Sequence, residues 1–180
     1  IEATASLNVV STLINNNGTS GIVIQSTASA TGKLVNASSG VQGEMQLHMT
    51  PSVYHYISSP MTDASYSNIQ VPGGTPGTDY DFFWYNESAQ AQWVYLGNSA
   101  GTFVSGRGYA FAYTKDGNNY VPSFTGTFKQ SNTSIAVSQQ SGGEPYYNGW
   151  NIVGNPYPSA ISAKTSDASN FLAQNSSIIM

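Results

Sequence analysis

The chain has 180 residues, of which 8% are charged and 12% are aromatic; it contains no cysteine, and its formal net charge is −4. Five lysine and arginine residues cannot form the basic surface that a phosphate backbone requires, which excludes nucleic-acid binding, and no apolar run is long enough for a membrane helix. The absence of cysteine excludes disulfide frameworks, thiolate metal sites and thiol nucleophiles.

Strand patterns dominate the chain from its first residues to its last. No long segment places apolar residues at helical spacing, and Gly, Asn, Ser and Pro interrupt the sequence at short intervals. Short β-branched and aromatic runs between such turn residues are typical of β-strands. We therefore predict an all-β fold.

The first forty residues carry a weak repeat. Three segments recur about every ten residues, at 11–16, 21–26 and 32–37, each with an apolar pair or triple flanked by small polar residues. The pattern is typical of the coils of a β-solenoid, in which aliphatic side chains stack from one coil to the next, and a meander of hairpins fits it as well. We predict a short solenoid-like stack over residues 1–42.

From residue 43 onward the alternation of side chains predicts antiparallel strands. The segment 44–49 places Met45, Leu47 and Met49 on one face and polar residues on the other. The segment 109–113 alternates three aromatic residues with two alanines. Both segments are therefore expected to bury one face in a core.

Two hairpins are predicted further along this second part. The aromatic runs at 81–85 and 92–96 are joined by a short polar segment, and the pair Asp116-Gly117 is a strong hairpin-turn signal. We predict an antiparallel, jelly-roll-like β-sandwich over residues 43–180. It is expected to be truncated at its C-terminal edge, as a fragment of a longer protein.

Five short motifs of this second part form a recognisable set: YHYISSP at 54–60, FFWY at 82–85, GRGY at 106–109, FTGTF at 124–128 and GWNIVGNPYPS at 149–159. Their succession resembles modules in large secreted and cell-surface proteins of Bacteroidetes, particularly proteins exported by the type IX secretion system. The last motif is the most specific, because so many residues of rare types in a fixed order seldom recur by chance.

The resemblance implies a location and an architecture more than a chemistry. Proteins of this kind are long, multi-module and often adhesin-like, and they lie outside the cell or on its outer surface. The partners it implies are other modules of the same polypeptide, surface glycans and components of the type IX export machinery. It carries no catalytic residue over to this chain.

Catalytic constellations are not evident from the sequence. His48 and His55 are the only histidines, and no Gly-x-Ser-x-Gly elbow presents a nucleophilic serine, so we predict structural roles for both. Glycoside hydrolysis needs two carboxylates across a cleft, and nothing in the sequence selects a pair among the nine acids. A glycoside hydrolase fragment is therefore the weakest hypothesis, and we predict that the chain is not an enzyme.

Calcium is the one cofactor for which the sequence offers ligands. Asp79 and Asp81 fall on one face of an extended segment, and carboxylate oxygens are what this hard cation prefers. The turn at 116–118 offers further oxygens. Hydrogen bonds of these side chains to the backbone of their own turns are the favoured explanation of the same residues.

Aromatic residues are the richest source of binding candidates. Flat rings with polar rims suit the stacking of sugar rings. Trp84 and Trp93 lie within apolar strands, so we predict that they belong to the core. Tyr146, Tyr147 and Trp150 follow an exposed Gly-Gly-Glu-Pro loop, and they are the predicted ligand-binding residues.

These observations predict a non-catalytic structural or adhesive module of a secreted or cell-surface bacterial protein, acting as a rigid β stalk or a display surface. The alternative is a carbohydrate-binding module attached to an extracellular enzyme. Arg107, between two glycines, is expected to place its guanidinium against a carboxylate or an aromatic ring. Neither a nucleic-acid partner nor membrane insertion is expected.

Overall fold

The computed structural model describes residues 1–89, 91–139 and 149–161, and in these the fold is all-β, as predicted. Helical structure within them is limited to two single 3₁₀ turns, at Gly18–Gly21 and Tyr66–Asn68. The described part of the chain includes no helix with the length and apolar character needed to cross a bilayer. The strands, in chain order, are β1 Ser6–Asn8, β2 Val23–Ile24, β3 Lys33–Val35, β4 Gln42–Gln46, β5 Tyr54–Ile57, β6 Tyr80–Tyr85, β7 Trp93–Tyr95, β8 Tyr109–Tyr113 and β9 Ser123–Thr127.

The first four strands pair in parallel, each with the next but one. β1 pairs with β3 from Ser6↔Lys33 onward, and β2 pairs with β4 at Val23↔Glu44. The predicted repeat at 11–16 contains no strand. Because β2 and β3 belong to different sheets, the pairing does not follow the ten-residue spacing of the sequence pattern.

The strand β4 links this parallel part to an antiparallel one. Its other edge pairs with β9 from Gln42↔Thr127 to Gln46↔Ser123, and an isolated bridge at Met49↔Tyr120 continues the same register. The result is a three-stranded sheet in the order β2-β4-β9. The strand at the predicted domain boundary is therefore shared by both parts.

A second, four-stranded sheet is antiparallel throughout, in the order β5-β8-β6-β7. The predicted hairpin between β6 and β7 is confirmed, with Phe83 opposite Tyr95. The prediction of a hairpin at Asp116-Gly117 is wrong, although the turn is present and both residues have positive φ. Since β8 pairs with β5 and β6 while β9 pairs with β4, this turn carries the chain from one sheet to the other.

An aromatic core connects the three-stranded and the four-stranded sheet and gives the fold its β-sandwich-like character. Phe82 and Tyr109 project from β6 and β8, and Phe103 meets both, with its ring centroid 4.9 Å from that of Tyr109. On the other side Phe103 lies 5.1 Å from Phe124 of β9. Edge-to-face pairs of this kind add to the large apolar area that each ring buries. Tyr66 completes the cluster, 5.2 Å from Phe82.

Candidate functional site

The outer face of the four-stranded sheet is unusually rich in exposed aromatic rings. In an antiparallel sheet directly opposed residues lie on the same face. Since β8 buries Tyr109, Phe111 and Tyr113, its Ala110 and Ala112 belong to the opposite face. The ladder then places six rings around these alanines, on β5, β6 and β7. We call these six residues the aromatic face: Tyr54, Tyr56, Phe83, Tyr85, Trp93 and Tyr95.

Four residues of the aromatic face are open to solvent. The exposed fractions are 65% for Tyr56, 54% for Tyr54, 47% for Tyr95 and 42% for Trp93. Soluble monomers rarely expose contiguous apolar patches, and those that exist are often functional. The prediction that Trp93 belongs to the core is wrong. The residues of an apolar strand do not by themselves indicate which of its two faces packs against the second sheet.

The rings of the aromatic face form a continuous surface. Phe83 lies at its centre, with ring centroids 5.0 Å from Tyr95, 6.3 Å from Trp93 and 6.4 Å from Tyr54. Tyr85 is 5.3 Å from Trp93 and extends the row toward the end of the hairpin. The planes of neighbouring rings are tilted by 53° to 78°, so this surface presents both ring faces and ring edges to a ligand.

One carboxylate is built into the aromatic face. The Tyr54 hydroxyl reaches across β8 and donates a hydrogen bond of 2.9 Å to Asp81 Oδ2. Burial, followed by this hydrogen bond, raises the pKa of Tyr54, and burial, followed by the charge of Asp81, raises the pKa of Tyr95. Both phenols are therefore neutral near neutral pH and able to donate hydrogen bonds.

Two of the five sequence motifs, GRGY and GWNIVGNPYPS, contact each other. Gly108 N donates to Ile152 O and Gly154 N donates to Gly106 O, both at 2.9 Å, so GRGY pairs with the centre of GWNIVGNPYPS. A Cβ on Gly108 would overlap the Ile152 side chain, and one on Gly154 would overlap Ser58. Glycine is thus required where these segments approach each other and the end of β5.

Beside this junction lies a cleft of about 390 Å³, which we call the Arg107 cleft. The Arg107 guanidinium stacks on the Trp84 ring with Cζ 4.2 Å from the ring centroid, so the predicted contact with an aromatic ring is confirmed. Glu87 also lines the cleft and is only 4% exposed. Its carboxylate accepts hydrogen bonds from Ser138 Oγ at 2.8 Å and Gly149 N at 3.2 Å.

A larger hollow of about 560 Å³ lies between residues 11–15 and 37–41 of the N-terminal part. Its lining consists of Ser, Thr, Asn, Gly and small or aliphatic residues without an ionisable side chain. Only the Arg107 cleft therefore combines charge, hydroxyl groups and an aromatic ring among the described cavities.

The ligand-binding residues predicted from the sequence are only partly described. Tyr146 and Tyr147 lie outside the described residues. Trp150 is 56% exposed. Its neighbour Asn151 is fixed by hydrogen bonds with the Ser138 backbone, at 3.2 Å from Ser138 N and 2.9 Å from Ser138 O. The clustering of the three aromatic residues stays a prediction.

The predicted calcium ligands have separate hydrogen bonds. Asp79 Oδ2 accepts from Thr75 N at 2.8 Å, and Asp81 accepts from Tyr54. Within the ranges that the structure describes, no three His, Cys, Asp or Glu side chains gather as a metal site would require. Calcium binding at Asp79 and Asp81 stays a prediction.

The two histidines have hydrogen bonds that do not form a catalytic triad in the described ranges. His55 Nε2 is 3.0 Å from Thr50 O, and His48 is held through its backbone N–H by Ser26 Oγ. Ser59 is fully buried, and its Oγ accepts from Met61 N at 3.1 Å. Neither imidazole is hydrogen-bonded to a serine or aspartate side chain in the part of the chain that is described.

The aromatic face corresponds to a pattern of alternating aromatic residues in the sequence. Tyr54 and Tyr56 alternate along β5 as Trp93 and Tyr95 do along β7, while the middle strand β8 carries alanines between its aromatic residues. Large rings on the flanking strands and small side chains between them are what a shallow binding surface needs. The pattern becomes readable only when the strand order is known.

Comparison with known proteins gives a family and no function. A family described as a domain of unknown function, DUF8693, matches residues 1–180, and the chain belongs to this family. No curated protein and no solved structure matches the chain.

Proposed function

We propose that the chain is a non-catalytic adhesive module of a secreted or cell-surface bacterial protein, and that it makes contact through the aromatic face. The observation that carries the proposal is the set of exposed rings on one side of a sheet whose other side carries the aromatic core. Exposed aromatic rings supply large contact areas at a low cost in side-chain entropy, and they are enriched at recognition surfaces.

The roles of the acidic residues support a scaffold rather than a reaction centre. Of the seven acidic residues that the structure describes, six accept hydrogen bonds that hold turns, strands or loops together. Asp63, for example, accepts from Thr127 N at 2.6 Å, and Glu44 accepts from Ser123 Oγ at 2.7 Å. The six are Glu44, Asp63, Asp79, Asp81, Glu87 and Asp116.

The proposal includes the finer architecture and the location expected from the sequence. Parallel pairing of alternate strands supports a solenoid-like stack over residues 1–42, followed by a jelly-roll-like sandwich. A surface with so few charges suits a display module outside the cell, exported by the type IX system and attached to other modules of the same polypeptide. Calcium at Asp79 and Asp81 belongs to the same proposal.

Retention under flow tests adhesion. Beads coated with the 180-residue chain are passed over surfaces coated with xylan, with mucin or with serum albumin. We expect retention on xylan or mucin, and a loss of most of it in Trp93→Ala, because the substitution removes the one indole ring of the aromatic face. Retention no greater than on albumin for both surfaces would overturn the proposal.

A matched variant locates the contact. Trp150→Ala also removes an exposed tryptophan, but from the segment that the sequence analysis favoured. If Trp150→Ala abolishes retention and Trp93→Ala does not, the contact lies at the predicted Tyr146, Tyr147 and Trp150 surface instead. Urea unfolding of both variants shows whether each still folds.

A carbohydrate-binding module is the second candidate. It is favoured by the combination of flat rings with the Tyr54 hydroxyl and the Asp81 carboxylate, since sugars offer apolar ring faces and hydroxyl groups to such a surface. Affinity electrophoresis in gels containing soluble xylan distinguishes the two. Slower migration in the presence of xylan supports glycan binding, whereas retention on mucin that persists after enzymatic removal of its glycans supports adhesion to protein.

A further inference from the structure

We propose that the Arg107 cleft is a binding site for the carboxylate of a uronic acid residue in an acidic glycan. Arg107 is one of five basic residues in the chain. It is half-buried at the junction of the two motifs, and its guanidinium stacks on the Trp84 ring. No described carboxylate forms an ion pair with it.

A half-buried cation without an anion is energetically costly. Removing a charge from water is compensated only when an opposite charge or several hydrogen bonds take the place of the solvent. Stacking on Trp84 satisfies the flat face of the guanidinium, but not its N–H groups, which lie in the plane of the group. That plane is where a carboxylate binds in a two-bond arrangement.

Glu87, in the same cleft, does not fulfil this role. Its carboxylate is held by Ser138 and Gly149. These bonds keep the acid at the wall formed by 134–138 and the start of GWNIVGNPYPS. Among the described residues, no acidic side chain takes the in-plane position at the guanidinium, and an anion from outside the chain can bind there.

The rest of the lining favours a sugar over a peptide. Ser105 and Ser134 offer hydroxyl groups, and a volume of about 390 Å³ lies within the range of small-molecule sites. Tyr85 lines the cleft and also contacts Trp93 of the aromatic face at 5.3 Å. Trp84 belongs to the opposite face of the sheet from the aromatic face, so the two surfaces adjoin only at the end of β6, where Tyr85 lies. The choice of a glycan as the ligand rests on the proposed function.

Calorimetric titration of the 180-residue chain with trigalacturonate tests the proposal. We expect binding that weakens with added salt. Arg107→Gln should weaken it by about tenfold or more, as loss of a charge-assisted pair predicts. Lys33→Gln removes the same charge from exposed β3, in a different sheet, and should leave the affinity unchanged.

Several results would overturn the proposal. They are an absence of binding by the wild-type chain, an equal loss in Lys33→Gln, or equal binding of the methyl-esterified trimer, which lacks the charge. Equal or tighter binding of triglutamate would assign the cleft to peptide carboxylates instead. If only the proposed function of the aromatic face is wrong, the chain would not bind xylan. It would still bind trigalacturonate, and Arg107→Gln would still weaken that binding.

A measurement on the wild-type chain keeps the test decisive if Arg107→Gln does not fold. In ¹H–¹⁵N spectra, trigalacturonate should shift the indole N–H signal of Trp84, which lies under Arg107, and leave that of Trp150 in place. Shifts confined to Trp150 would contradict the assignment of the cleft.

Discussion

Both faces of the four-stranded sheet carry aromatic residues, which are buried on the inner face and exposed on the outer face. On the inner face Phe82, Tyr109 and Phe111 are completely buried, whereas on the outer face Tyr54 and Tyr56 are more than half exposed. The inner rings are covered because Phe103 and Phe124 stand opposite them. The high aromatic content of this chain therefore has two sources, the residues of the core and the residues of an exposed surface.

The largest effect that separates the two faces is expected for Phe111→Ala. The Phe111 ring is fully buried, 5.6 Å from Tyr80 and 5.9 Å from Phe82, so the truncation leaves a cavity in the core. We expect a loss of about 3–5 kcal/mol in the free energy of unfolding, measured in urea. Tyr56→Ala, on the outer face of the neighbouring strand, should change it by less than about 0.5 kcal/mol.

Similar losses in Phe111→Ala and Tyr56→Ala would break the comparison. That result would mean that the outer face is covered in solution. A loss limited to the inner variant would establish that the aromatic face contributes little to stability.

The second effect concerns the edge of the inner face, where GRGY meets its partner motif. Gly106 has φ +79° and a Cβ there would overlap the Ile135 side chain. Gly106→Ala should therefore destabilise the chain by about 1–3 kcal/mol in the same urea measurement. Gly117→Ala is the matched control, because Gly117 has φ +68° but nothing within 4 Å of an added Cβ. Equal losses would show that backbone conformation, and not the close approach, requires glycine at 106.

The strands themselves were accessible from the sequence, since alternation in 44–49 and 109–113 identified β4 and β8 and the inner side of β8. Which flanking rings face solvent was not accessible. Trp93 lies in an apolar run that reads as core, and its exposure follows from β7 being the outermost strand with no sheet above that face. The burial of a side chain depends on a partner that is distant in sequence, and a local pattern contains no record of it.

Local turn chemistry was equally incomplete. The Asp116-Gly117 pair predicts a tight turn, and Asp116 Oδ1 does accept from Asn118 N at 3.1 Å. A turn signal does not name the partner of the strand that follows. Here β9 pairs with β4, which lies far earlier in the chain, and the cleft around Arg107 likewise arises from four segments that no single motif contains.

Alkaline pH should lower the free energy of unfolding through a partly buried tyrosine that packs against the core. Tyr120 stacks on Tyr113 with centroids 4.7 Å apart, and burial raises its pKa to about 12. The unfolded chain releases this proton near the ordinary value of about 10, so the folded state binds more protons between these values and stability falls as pH rises through them. Urea unfolding at increasing pH measures the loss. Tyr120→Phe has no proton to release and should flatten the dependence, whereas an unchanged slope would assign it to other groups.

The smallest effect is expected at the hydrogen bond that crosses the outer face. Tyr54→Phe removes the hydroxyl that donates to Asp81 but keeps the ring 6.4 Å from Phe83. Because the pair is solvent-exposed, the free energy of unfolding should fall by less than about 1 kcal/mol. Asp81→Asn is the complementary variant, since its carbonyl oxygen still accepts the bond while the charge is lost. A loss above about 2 kcal/mol in Tyr54→Phe would mean that this bond, rather than ring contacts, holds the aromatic face together, and the outer face would then share the structural role of the inner one.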